Sequence, residues 1–292
     1  MHIGIFAPFL SGYTTPSFLA GAARASEEAG FHSIWVPEHV ILFDDYESRY
    51  PYTPDGRLRG GGGIGVLEPL NFLSFLAGST STIRLGTGIC LLPQRNPVYT
   101  AKEVATLDYL SGGRVDFGVG IGWLAEEFAA LGVPWRRRAQ RTRAYVEVLR
   151  RLWCDDVSEY SGEFYELPAS RQYPKPVQKP HPPLHFGGES DAALKRVADI
   201  GQGWFGFALD PEAAAARVAV LTRLLETAGR SRGDVVVSVS PGVRTLDEAA
   251  LEAYRVAGVD QLITQGRGRS PDEFIATLHE LGRTLVEPAS RM

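Results

Sequence analysis

The chain has 292 residues, 44% of them hydrophobic and 22% charged, with a formal net charge of −4 at pH 7. That balance builds an ordinary apolar core and gives no general attraction to nucleic acid or anionic membranes, so both are excluded as main partners. The opening stretch MHIGIFAPFL has no basic lead-in and is too short for a secretion signal or a membrane span, which predicts a cytoplasmic location.

Eight strand-like runs follow one another: IGIFAP, SIWVPE, IRLGTGICLL, RVDFGVGIG, PLHFGG, WFGFAL, VVVSVS and QLITQ. Amphipathic segments follow them at 18–29, 69–79, 98–110, 139–153, 192–200, 212–227, 248–257 and 272–285. Apolar runs without alternation, separated by helical patterns, predict a parallel sheet covered on both faces. Eight such units in one chain of this length predict an α/β fold, a (β/α)8 TIM barrel forming a single domain over 1–292. Two connections exceed that plan. Residues 43–66, after the second strand, combine tyrosines, prolines and Gly60 to Gly63; a loop this long leaving a strand's C-terminal end reads as a cover for a substrate site. Residues 155–183, before the fifth strand, contain SEYSGEFYEL, read as a hairpin turning at Ser161-Gly162, then a proline-rich connector. This second insertion is a decoration or a subunit contact.

Barrel enzymes place their chemistry at strand C-termini. No lysine falls there, no G-x-S-x-G elbow is present, and no Cys/His/Asp/Glu spacing suits a metal; Cys90 and Cys154 are far apart and read as reduced thiols. What remains is an apolar, glycine-lined floor, the profile of a site whose difficult chemistry belongs to an organic cofactor. In FGVGIGW, the third glycine of a Rossmann fingerprint would fall at Trp123, so the dinucleotide reading fails. Gly118, Gly120 and Gly122 then clear room either for a bound ring or for bulky neighbours such as Trp35 and Phe117. In HFGGES, Gly187, Gly188, Glu189 and Ser190 leave a strand and enter a helix. They form an anion site or an ordinary capped turn.

His39 stands at a strand end beside Glu38, as a proton-handling group or a structural histidine. Glu126 and Glu127 are candidate acids, or carboxylates favoured by a helix N-terminus. Tyr46, Tyr50 and Tyr52 of the long loop, with Trp123, suit a small apolar substrate bearing a hydroxyl or carbonyl, or else anchor the loop.

WVPEH, LGTGICLLPQRNP, AKEVATLDYLSGGRVDFGVGIGW, and HFGGES followed by GQGWFGF resemble the successive signatures of the bacterial luciferase-like superfamily of flavin- and deazaflavin-dependent oxidoreductases. Their order runs from His2 to about Phe207. The resemblance implies a (β/α)8 barrel, a flavin-type ring near the C-terminal ends of the strands, its phosphate at Gly187 to Ser190, and a homodimer. It also implies a cis peptide at Gly88-Ile89 supporting the ring, with Gly120 and Gly122 beside it, and a proton-handling role for His39. The pattern is most similar to members using coenzyme F420, with FMN as the alternative. An anionic glutamate tail would call for a basic groove, for which Arg95, Arg57, Arg59 and the arginines of PWRRRAQRTR are candidates. One deazaflavin subgroup carries an acid where this chain has Trp123, so that subgroup's sugar-phosphate chemistry is not expected. The implied activity is hydride transfer between coenzyme F420 and a small organic substrate. The alternatives are an FMN-dependent monooxygenase and a flavin binder without turnover.

Overall fold

A computed structural model describes residues 1–8, 10–242 and 244–292. Its strands and helices alternate as β1 (His2–Phe6), α1 (Pro16–Glu28), β2 (Ser33–Val36), α2 (Pro69–Ala77), β3 (Arg84–Thr87), α3 (Pro97–Ser111) and β4 (Val115–Val119). After α4 (Ala125–Ala130) and α5 (Arg138–Cys154) comes the hairpin of β5 (Ser158–Gly162) and β6 (Tyr165–Ser170). The second half runs β7 (Leu184–Gly187), α6 (Asp191–Ile200), β8 (Gly203–Phe207), α7 (Pro211–Thr227), β9 (Val236–Ser240), α8 (Glu248–Val256), β10 (Gln261–Gln265), α9 (Pro271–Leu281) and α10 (Glu287–Ser290). The eight predicted runs are the eight barrel strands, closed in the order β1-β10-β9-β8-β7-β4-β3-β2. Every pairing around the barrel is parallel.

Local chemistry explains the helix starts. Proline opens α1, α2, α3, α7 and α9, where its missing N–H breaks no bond, and Thr15, Glu68, Asn96, Asp210 and Ser270 accept from the first-turn amides. The final helical pattern, predicted to reach residue 285, leaves the α geometry after Leu281 and widens into a π-turn over Gly282–Val286. The hairpin also differs from expectation. Gly162 pairs with Tyr165, so the chain turns at Glu163-Phe164 rather than at Ser161-Gly162. Register here follows burial, because this pairing sinks Ser158 and Leu167 while their neighbours face outward.

The core has two compartments. Most of it lies between the sheet and the helices. Inside the barrel, Phe6, Trp35, Phe205 and Ile263 form a separate cluster with Ile89 and Phe207 packed against it, so the lumen is filled by side chains. No helix among the described residues is long and apolar enough to cross a membrane, and no group of three or more His, Cys, Asp or Glu among them is arranged to hold a metal ion.

Candidate active site

The C-terminal mouth of the barrel begins at the end of β3, where the peptide between Gly88 and Ile89 is cis. The backbone here lies so close to β4 that a Cβ on Gly118 would collide with the Thr87 carbonyl oxygen. The Ile89 side chain fills the space that side chains at Gly120 and Gly187 would take. Gly122, at φ 78°, would place a Cβ 2.7 Å from the Phe128 ring. The dropped side chains of these glycines are therefore accounted for by the protein's own atoms. The bulky neighbours are Ile89, Thr87 and Phe128, not Trp35 or Phe117. Gly88 itself faces the aromatic floor, where a Cβ would stand 3.3 Å from both Phe205 and Phe6.

Strand β2 ends at Val36, which frees Glu38 and His39 from the alternation of a strand. Glu38, expected to assist His39, turns away from it: its carboxylate accepts from Arg95 Nε at 2.7 Å and from the Leu91 amide. Arg95 also pairs with Glu68 and Glu103, so each of its three nitrogens meets a carboxylate of this chain. This cluster fastens the segment after β3. Arg95, named above as a candidate for binding an anionic tail, is committed to it.

The partner of His39 is Glu127. Its side chain is 0% exposed, and its Oε2 lies 3.2 Å from His39 Nδ1. The same carboxylate accepts from the Val40 amide at 2.6 Å, the Ile41 amide at 3.3 Å and Gln94 Nε2 at 3.1 Å. Burial alone would raise its pKa, but the bonds and charge from His39, with those from Gln94 and Val40, hold it below the usual carboxylate range. On the other side of the imidazole, Trp123 Nε1 donates to His39 Nε2 at 3.3 Å. Glu126, one residue earlier on α4, does different work. Its Oε1 accepts from the Glu47 and Ser48 amides at 2.7 and 3.2 Å, while the Ala125 amide donates to Ser48 Oγ. Glu126 pins the long loop.

That loop lies across the mouth. Tyr46 is an anchor within it: its hydroxyl accepts from the Leu58 amide at 2.7 Å, its carbonyl accepts from Arg57, and the Arg57 guanidinium sits over its ring. Tyr50 and Tyr52 face inward, the first edge-on to Trp123 at 5.1 Å between centroids, the second to Phe207 at 4.8 Å. Burial, reinforced by the charge of Glu189, pushes the Tyr50 phenol up to about 12 and Tyr52 well above its ordinary value, so both keep their protons near neutrality. Tyr52 donates to Glu189 Oε1 at 3.4 Å, and the Phe207 amide donates to the same oxygen at 2.8 Å. The Glu189 carboxyl is raised by that burial.

Behind Glu189, Gly188 adopts φ 107° and its carbonyl accepts from Trp204 Nε1. Ser190 caps α6 by accepting from the Ala193 amide at 3.2 Å. Arg217 of α7 reaches over this turn, donating to the Glu189 carbonyl at 3.0 Å and to Asp191 at 2.9 Å. Sequence reading missed Arg217, because an arginine 26 positions further along on another helix carries no local signal. It also missed Gln94, and it could not tell Glu126 from Glu127. The arginine cluster is dispersed: Arg137 pairs with Glu163, Arg143 with Asp199, Arg141 donates to the Pro93 and Pro134 carbonyls, and Arg138 reaches the Gly122 carbonyl at 3.3 Å.

A filled parallel barrel whose polar side chains and long cover meet at its C-terminal mouth is the architecture of a barrel enzyme. The chain belongs to the luciferase-like monooxygenase family, whose model matches residues 1–288. A relative of uncharacterised function from Mycobacterium tuberculosis (strain ATCC 25618 / H37Rv) is 33% identical over 287 residues, 98% of this chain and 99% of its own length. Among solved structures, the monooxygenase RslO1 from Streptomyces bottropensis superposes with a TM-score of 0.76 at 20% identity, covering 98% of this chain and 99% of that one. The coenzyme F420 dependent tetrahydromethanopterin reductase from Methanopyrus kandleri gives 0.75 at 19% identity, covering 98% of both. At those identities the structural likeness establishes the fold.

Proposed function

We propose that the protein is an oxidoreductase that moves hydride between coenzyme F420 and a small organic substrate at the barrel mouth. The observation that carries this reading is His39, an imidazole held between a fully buried carboxylate and an indole, in a mouth otherwise walled by Ile89, Phe207, Tyr50 and Tyr52. Few proton-handling groups, His39 and the buried Glu189, among apolar walls are the division of labour expected when an organic cofactor brings the redox chemistry. The residues fit such a group. Gly188, Glu189 and Ser190 lead into α6, whose first amides offer donors to a phosphate, while Arg217 beside them is held by the Glu189 carbonyl and Asp191. Ile89 and the aromatic floor under Gly88 offer an apolar seat for a flat ring.

When bound, the deazaflavin would accept or deliver hydride at its C5 carbon. His39 would hold or release the accompanying proton at Nε2, and the protonated phenols of Tyr50 and Tyr52 would close the mouth against water. A second reading, an FMN-dependent monooxygenase, is favoured by one observation. Arg95, Arg137 and Arg143 are paired with carboxylates of this chain, which leaves less positive charge for a glutamate tail. Equilibrium titration with oxidised coenzyme F420 and with FMN, followed by absorbance, decides between them. Binding of the deazaflavin with weaker FMN binding is expected; tight FMN binding without the deazaflavin would overturn the first reading.

A further inference from the structure

We infer that Glu127 is the positioning residue that fixes His39 as its Nδ1–H tautomer, and that the Trp123 indole occupies an acceptor position on Nε2 which a hydrogen-bond donor of the ligand takes over. The part concerning the ligand rests on the functional reading above. The tautomer does not.

Two independent contacts select the same protonation pattern. Glu127 is surrounded by donors: the Val40 and Ile41 amides on one oxygen, Gln94 Nε2 and His39 Nδ1 on the other. The two backbone amides can only donate, so the carboxylate accepts throughout. The Gln94 amide is oriented the same way, with its Nε2 toward Glu127 and its Oε1 buried without a partner among the described residues. A bare Nδ1 lone pair facing that oxygen at 3.2 Å would be repulsive, so Nδ1 carries the proton. On the opposite edge, an indole N–H is a donor and never an acceptor, so Nε2 must offer its lone pair to Trp123. The first contact places the proton on Nδ1 and the second leaves Nε2 bare, so together they specify the neutral Nδ1–H form.

The consequence concerns recognition. Nε2 is an acceptor whose bond is made by a residue of the mouth itself. Trp123 follows Gly122 and stands edge-on to Tyr46 and Tyr50, and through Tyr50 it joins the aromatic wall that includes Tyr52. A ligand group that displaces the indole leaves Nε2 unsatisfied unless it brings an N–H or O–H of its own, and an unpaired polar atom at a half-buried site is costly. While His39 is neutral, the site therefore reads a hydroxyl at this point rather than the corresponding carbonyl. Glu38, the carboxylate adjacent in sequence, has no part in this, since both of its oxygens are bound elsewhere.

The test is nitrogen NMR of protein labelled at its six histidines, without cofactor, at a pH well above the usual imidazole range, with His39 assigned by its loss in His39→Gln. The expected spectrum has a protonated Nδ1 and a bare Nε2. An Nε2–H tautomer, or an even mixture, overturns the inference. Glu127→Gln should move His39 toward a mixture, because an amide both donates and accepts. Should that variant fail to fold, Trp123→Phe serves: it keeps a ring and removes the donor, so the tautomer should persist while the Nε2 resonance shifts, and an unmoved resonance counts against the indole bond. Cyclohexanol should then displace the wild-type Nε2 resonance where cyclohexanone does not. No response to the alcohol, or an equal response to the ketone, overturns the recognition step. A protein with the expected tautomer that binds neither coenzyme F420 nor FMN would lose the functional reading and keep this one.

Discussion

Two sets of buried carboxylates, one at each end of the barrel, are held differently. At the N-terminal end, Asp116 is matched by charge. Asp116, 5% exposed, takes a two-pronged bond from Arg84 at 2.8 and 2.6 Å, with His185 Nε2 3.5 Å away. Burial would raise its pKa, but His185 and Arg84 together hold it well below the usual carboxylate range. Arg84 and Asp116 sit on adjacent strands, so this pair ties β3 to β4. At the C-terminal mouth, apart from Glu38 with Arg95, carboxylates are matched mostly by backbone amide N–H groups. Glu126 holds Glu47 and Ser48, Glu127 holds Val40 and Ile41, and Glu189 holds Phe207. The Asp116–Arg84 pair joins strands and serves stability, whereas the carboxylates of the mouth fasten the backbone around the site.

That division can be broken most sharply at the base. Asp116→Ala removes two charge-assisted bonds from the half-buried Arg84 guanidinium and should cost about 1.5–3 kcal/mol by chemical denaturation, with cofactor binding per folded molecule unchanged. A loss under about 1 kcal/mol would show that the base pairing is dispensable. His39→Ala tests the mouth in the opposite sense. Turnover should fall about 10²–10⁴-fold while the denaturation midpoint barely moves and cofactor affinity is retained; an unchanged rate would leave His39 a structural residue.

A pH profile sharpens the contrast further. Desolvation, with the neighbouring charges of His2, Arg84 and His185, lowers the pKa of His32 from 6.5 to about 4. The unfolded chain therefore binds a proton here at a pH where the folded chain does not, so this contribution is complete above about 6.5 and is lost as pH falls toward 4. Melting temperature should decline through that window, and His32→Asn should flatten the decline. Smaller effects are expected at the loop. Glu126→Gln weakens two charge-assisted bonds and should raise hydrogen exchange over residues 44–65 without altering the barrel strands, at about 1 kcal/mol of local opening. Tyr52→Phe removes a single long bond to Glu189 and should change the same exchange rates least. If either loop variant loosens β3 or β4 as well, the two ends are not independent.

Much of this architecture is written locally. Each barrel strand is a short apolar run, and helix starts such as Asn96-Pro97 and Ser270-Pro271 combine a capping side chain with a proline that has no N–H to lose. The apolar mouth and the position of His39 just beyond the end of a strand were legible for the same reason, since both follow from where a strand stops. The partners were not. Glu126 and Glu127 are identical neighbours with the same propensity, and only the pose of the six-residue α4 sends one to the loop and the other to His39. Glu38 sits beside His39 in the chain yet bonds to Arg95, 57 positions away. The glycines of FGVGIGW announce that something lies close, but its identity, the Thr87 carbonyl and the Ile89 side chain, depends on how β3 meets β4 and β7. By itself, the sequence determined the order and type of the elements, because propensity, capping and hydrophobic period act within a few residues of backbone. Which side chains face one another at the mouth was decided only by the closure of the barrel, which brings together atoms that no local rule relates.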